Sequence, residues 1–77
     1  MQVEVWLHGI LRDHLPPEAK GRGTVTLPEG ATLADLLARL GITRSVEAAV
    51  NEAHEADQGF VLHEGDAVTL FMVIGGG

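Results

Sequence analysis

The residues able to do chemistry in this chain are few. Its 77 residues include no cysteine, which excludes disulfides, thiolate metal sites and a cysteine nucleophile. The single serine, Ser45, suggests no Ser-His-Asp arrangement. Four histidines, His8, His14, His54 and His63, invite a metal reading. Their spacings match neither a helical i,i+4 pair nor a short metal loop, so solvated surface histidines are expected instead. Gly21-Arg22-Gly23 lacks the later glycine and the Gly-Lys-Ser/Thr ending of a phosphate loop. The carboxylates are spread over loops, and their spacing assigns no acid–base pair. The folded body is therefore expected to hold no catalytic residue, no metal and no bound cofactor.

The chemistry that remains is at the C-terminus. The chain passes from an apolar stretch straight into Gly75-Gly76-Gly77. Glycine is the costliest residue to order, so residues 75–77 are expected to form a flexible tail on a domain spanning 1–74. Lacking side chains, Gly75 and Gly76 would thread a narrow channel in a partner. The α-carboxylate of Gly77 is ionised at neutral pH and unhindered. It is suited to attack the α-phosphate of ATP and form an acyl adenylate, which a sulfur or amine nucleophile can then open. The bland alternative is a floppy end without a role.

The elements that would position this tail are legible in the hydropathy pattern. Residues 3–10 alternate Val3, Val5 and Leu7 with Glu4, Trp6 and His8, which predicts a half-buried strand. Residues 11–23 break the pattern with Pro16-Pro17, Gly21 and Gly23 and read mostly as loop, in which Leu11 and Leu15 share a face of a short helical turn. Thr24–Leu27 predicts a second strand. Thr32 is a good N-cap, with Asp35 approximating a capping box. Leu33, Leu36, Leu37 and Leu40 form one apolar stripe, and Gly41 ends the helix. Val46–Val50 predicts a third strand with Asn51-Glu52 as a turn, residues 51–59 a loop, and Phe60–Leu62 a brief edge strand. Ala67–Ile74 is the last strand, with Val68, Leu70, Met72 and Ile74 on one face and Thr69, Phe71 and Val73 on the other. Apolar on both faces, it belongs at the centre of the sheet, beside the first strand. One short helix covers one face, giving a two-layer α+β domain.

That arrangement leaves one face in question. Trp6, Phe71 and Val73 point away from the leucine stripe. Exposed, they would make a docking patch beside the tail. Alternatively, the 11–23 loop covers Trp6.

The bulk numbers narrow the partners. The formal net charge is −6, which argues against binding a nucleic-acid backbone. Residues 45–77 hold six acids and no base, so this part either aids solubility or steers toward a basic partner surface. No apolar run approaches the ~20 residues of a membrane span. Met1-Gln2-Val3-Glu4 lacks a basic region leading into a long apolar stretch, so a cytoplasmic location is expected.

Taken together, the chain resembles the ThiS/MoaD family of ubiquitin-like sulfur carriers. The resemblance rests on Val3–Leu7, Leu27-Pro28-Glu29-Gly30-Ala31-Thr32 leading into Leu36-Leu37, Val50-Asn51, Leu62-x-Glu64-Gly65-Asp66, and Leu70-Phe71-x-Val73-Ile74 before the terminal glycines. It implies a β-grasp fold, a mixed sheet of four to five strands with one main helix on one face. It implies that Gly77 is adenylated by an enzyme of the ubiquitin-activating type, which uses ATP. A sulfur donor protein then supplies a thiocarboxylate, and a sulfur-accepting synthase consumes it in cofactor biosynthesis. Phe71 matches a position where the family often places an aromatic near its activating enzyme. The tail lacks the Phe-Pro-Pro-Val-x-Gly-Gly pattern of molybdopterin-synthase small subunits and looks closer to thiamin sulfur carriers. The long first hairpin with Pro16-Pro17 looks more like the molybdopterin or tungstopterin type. A protein modifier joined to lysines through the same carboxylate, and a non-covalent β-grasp interaction module, are the alternatives.

Overall fold

The computed structural model describes residues 1–52 and 54–73, with His54 described for its backbone only. Strand β1 (Gln2–Leu7) buries Val3, Val5 and Leu7 and exposes Gln2, Glu4 and Trp6, the alternation its sequence dictates. It ends sooner than the pattern suggests because Gly9 takes φ +60 and turns the chain into a 3-10 helix, Gly9–His14. Leu11 enters the core from this turn. Leu15 lies beyond it in extended backbone yet still packs on the core. The two leucines thus share a destination rather than a helical face. A second 3-10 turn, Pro17–Ala19, leads to strand β2 (Arg22–Thr26). β2 starts earlier than its β-branched residues predict. The Leu7 N–H donates to the Gly21 carbonyl, and the antiparallel ladder runs from Trp6 opposite Arg22 to Gln2 opposite Thr26.

Helix α1 (Leu33–Leu40) forms where the leucine stripe predicts it. The capping box closes fully: the Asp35 N–H donates to Thr32 Oγ1, and the Thr32 N–H donates to Asp35 Oδ2 at 2.8 Å. Gly41 ends the helix at φ +77. Leu33, Leu36 and Leu37 are buried against the sheet, and Leu40 packs at its margin.

Strand β3 (Val46–Val50) follows, then the two-residue strand β4 (His54–Glu55), and finally β5 (Ala67–Met72). β4 corrects the expectation of an unbroken loop over residues 51–59. Its pairing of His54 with Val50 and Glu55 with Ala49 uses backbone groups, which a polar sequence does not advertise. The expected edge strand at Phe60–Leu62 is absent apart from one bridge, Thr32 with Val61. The backbone there serves the helix instead. The Leu33 N–H donates to the Phe60 carbonyl and the Ala34 N–H to the Gln58 carbonyl, satisfying donors that a helix start leaves free.

The sheet order is β2-β1-β5-β3-β4. β5 runs parallel to β1 and antiparallel to β3, so the sheet is mixed and its most apolar strand is central. The core lies on the α1 side, with Leu7, Leu11, Leu33, Leu36, Leu62 and Leu70 fully buried. The opposite face carries no helix.

Candidate functional surface

The uncovered face gathers side chains from three strands into one row. Trp6 of β1 and His8, just past the strand's end in extended backbone, lie on the same side, two residues apart. The His8 N–H donates to the Leu70 carbonyl at 3.1 Å, which extends the β1–β5 ladder past the strand's end and holds the imidazole over β5. The Trp6 and His8 rings stack with centroids 5.5 Å apart, and His8 and Phe71 stack at 4.8 Å. At the β2 end the Arg22 guanidinium lies over the Trp6 ring, 4.7 Å from its centroid. Such aromatic pairs are worth about 0.5–1.5 kcal/mol each. An exposed cation–π contact contributes about 0.5–1 kcal/mol.

The row remains open to solvent. Trp6 is 44% exposed, and Phe71 and Val73 are each 41% exposed. The 11–23 loop therefore does not cover Trp6; that loop commits Leu11 to the core instead. Phe71 stands between two open hollows. One, of about 320 Å³, is bounded by Trp6, Ala49, Glu52 and Thr69. The other, of about 460 Å³, is bounded by His8, Gly9, Met72 and Val73. The face also has an electrical gradient. Arg22 occupies its β2 side, while Glu47 sits opposite Phe71 on β3 and Glu52 borders the first hollow.

Trp6, Phe71 and Val73 are thus brought to one face, as the alternation predicts. Gly75, Gly76 and Gly77, named from the sequence for threading and reaction, lie outside the described residues. The sequence reading missed His8 and Arg22. His8 was expected to be a solvated surface histidine, yet its ring is half-buried between two aromatics. The available signal was its two-residue offset from Trp6 on one strand face. His14 is likewise engaged, its Nδ1 lying 3.1 Å from the Leu40 carbonyl oxygen. His63 is exposed, with Nδ1 3.9 Å from Asp66 Oδ2. Among the described residues no three His, Asp or Glu side chains gather to hold a metal ion. No described helix is long and apolar enough to cross a membrane. The arrangement is a contact surface: polarised, aromatic, and adjacent in sequence to the terminal glycines.

Comparison with known proteins places these features in context. A model of the ThiS family matches residues 15–77. No curated protein matches in sequence. Two crystal structures from Haloferax volcanii are similar in fold. SAMP1 has a TM-score of 0.71 and 19% identity over 100% of both chains. Small archaeal modifier protein 1 has a TM-score of 0.76 and 18% identity, over 95% of this chain and 98% of that one. A Pyrococcus furiosus structure, described as molybdopterin converting factor, subunit 1, has a TM-score of 0.76 and 22% identity, over 96% and 99% of the two chains. The shared architecture is the ubiquitin-like β-grasp, a mixed sheet with one main helix on one face.

Proposed function

The chain belongs to the ThiS family, and from that premise we propose that it is a sulfur carrier whose Gly77 carboxylate becomes a thiocarboxylate. The observation that carries this reading is the family match running through residues 15–77, which includes β5 and the terminal glycines. An activating enzyme of the ubiquitin-activating type would dock on Trp6, Phe71 and Val73, while Gly75 and Gly76 thread its channel. A carboxylate oxygen of Gly77 attacks the α-phosphorus of ATP and pyrophosphate leaves. A persulfide on a donor protein then attacks the acyl carbon and AMP leaves. A thiol cleaves the S–S bond of the resulting acyl disulfide, forming a disulfide with the donor's sulfur and leaving the second sulfur on Gly77. The resulting thiocarboxylate gives its sulfur to a synthase making molybdopterin, tungstopterin or the thiamin thiazole. The chain is then a co-substrate, or the small subunit of a sulfur transferase, rather than a catalyst itself. The apolar row of the open face supports the docking step, because exposed aromatics in a cluster mark contact surfaces.

Mass spectrometry after incubation with ATP, a sulfur donor and the cognate activating enzyme tests this. A sulfur-for-oxygen gain located on Gly77 is expected. An unchanged mass beside an enzyme shown to be competent would overturn it.

A second reading, a modifier joined to lysines through the same carboxylate, draws on the fold shared with small archaeal modifier protein 1. The first chemical step is identical. A denaturing gel separates the two: covalent adducts support the modifier, and their absence alongside normal sulfur transfer supports the carrier. Lys20 is the only lysine of the chain, so side-chain-linked chains of this protein would have a single internal site. Lys20→Arg would abolish such chains and leave adducts on other proteins intact.

A further inference from the structure

The sheet has a second unpartnered feature, a backbone edge that shares Arg22 with the aromatic row. β2 is its edge strand. The Leu7 N–H bonds to the Gly21 carbonyl, and Leu27 exchanges hydrogen bonds with Met1, so the odd-numbered residues of this stretch face β1. Strand alternation then turns the N–H and C=O groups of Arg22, Thr24 and Thr26 outward. None of these outward groups has a partner in the protein among the described residues. Edge strands are commonly blunted by proline, a bulge or an inward charge. The run Arg22-Gly23-Thr24-Val25-Thr26 has none of these across its length.

Beside this edge lies a groove of about 340 Å³ between β2 and the end of α1. Leu15, Val25 and Leu40 supply its apolar surface, and all three pack on the core. Leu15 lies against Gly23, where an added Cβ would meet its Cδ1 at 3.5 Å. His14, held to the Leu40 carbonyl at 3.1 Å, ties the 3-10 segment to the helix end and fixes the width of the groove. Arg39 lines the rim and Arg22 begins the strand; among the described residues neither lies within 4.0 Å of a carboxylate.

We infer that the β2 edge accepts an extended peptide segment of a partner protein, alternating apolar and acidic residues, as a further strand of the sheet. Its backbone pairs with Arg22, Thr24 and Thr26. Its apolar side chains enter the groove over Leu15 and Leu40. Its acids fall on the opposite face of the strand, beside Arg22. This mode draws affinity from main-chain bonds and selectivity from alternate side chains. A second copy of this chain fits less well. Pairing β2 with β2 would offer Arg22 no carboxylate, because the run Arg22–Thr26 holds none.

The test uses the full chain, labelled with nitrogen-15, and a blocked heptapeptide alternating Asp with Val. Chemical-shift changes and slowed amide exchange are expected at Arg22, Thr24 and Thr26. The same peptide with Lys in place of Asp should not bind. Arg22→Glu should weaken the Asp peptide roughly tenfold, since it replaces an attraction by a repulsion. Two further probes leave the protein unchanged: peptides N-methylated on every Asp or on every Val. Binding by one and not the other supports strand addition, because only one set of amides faces β2. Equal binding by both would overturn it. So would equal binding by the Asp and Lys peptides, or shifts confined to Trp6 and Phe71. Protection of the β2 amides that grows with protein concentration alone would replace the inference with an edge-to-edge dimer.

Discussion

His8 lies face-on against Phe71, with centroids 4.8 Å apart and planes 12° from parallel. The two central strands therefore present one continuous aromatic step to solvent, extended by Trp6 and closed by the Arg22 guanidinium. Phe71 is 41% exposed and stands between two hollows, so it contributes more surface for contact than for folding. Phe71→Ala should cost the fold only about 1 kcal/mol, the scale of one aromatic pair. As a central anchor it should weaken docking on the activating enzyme by about tenfold or more. Urea unfolding checks the first figure, and the carrier concentration giving half-maximal ATP–pyrophosphate exchange checks the second. A large stability loss with unchanged exchange would make Phe71 a folding residue instead.

Thr32 and Asp35 act on folding alone. Their reciprocal bonds satisfy both the Thr32 and the Asp35 backbone N–H. Thr32→Ala should lower stability by about 1 kcal/mol, the usual loss for an N-cap. Asp35→Ala should cost a similar amount, and the double variant less than the sum because the two side chains share one motif. Denaturant midpoints at constant slope give all three values. Sulfur loading of the folded variants should be unchanged.

The helix and the central place of β5 beside β1 were legible because each rests on local periodicity or on the apolar pattern of a whole segment. The leucine stripe needed only Leu33, Leu36, Leu37 and Leu40. The central place of β5 followed from Leu70 on one face and Phe71 on the other. What escaped was decided by backbone bonding and by neighbours distant in sequence. His54–Glu55 joins the sheet through main-chain groups. Phe60 and Gln58 lend their carbonyls to α1 rather than to a strand. His8 reads as a surface residue until the parallel pairing of β1 with β5 brings Phe71 beside it. The open face itself was foreseeable from one helix facing one sheet, but whether the long first connection covered Trp6 depended on where Leu11 went.

Gly21 and Gly30 share a backbone conformation and differ in their surroundings. Gly21 has φ +81, and an added Cβ would lie 2.6 Å from the Leu7 carbonyl oxygen, where backbone must move. That oxygen belongs to the strand that pairs with β2. Gly30 has φ +82 with nothing within 4 Å. Gly30→Ala should therefore cost about 1–2 kcal/mol, the left-handed penalty alone. Gly21→Ala should cost more than about 3 kcal/mol, since a steric displacement of the β1–β2 ladder adds to that penalty. For a domain of this size that is a large share of total stability. Thermal unfolding of the two variants should rank them in this order; equal losses would mean the Leu7 carbonyl yields without consequence.

Glu47 sits opposite Phe71 on the neighbouring strand and is exposed, with no base within 4.0 Å among the described residues. It belongs to the acidic residues 45–77, which carry the entire net charge. Its removal should leave the fold intact, because it holds no partner there. Its field, however, falls beside the aromatic step where the activating enzyme is proposed to dock. Charges at the margin of an interface act chiefly on the rate of encounter. Glu47→Lys should therefore slow association with the enzyme by roughly threefold to tenfold at low salt, with little change in dissociation. The difference should shrink as ionic strength rises and the screening length falls to about 3 Å at 1 M salt. Stopped-flow emission of Trp6, the chain's single tryptophan, follows both rates directly, because docking removes water from its ring. A faster association for Glu47→Lys would mean that the enzyme meets this side of the sheet with acids, and would reverse the polarity assigned to the docking surface.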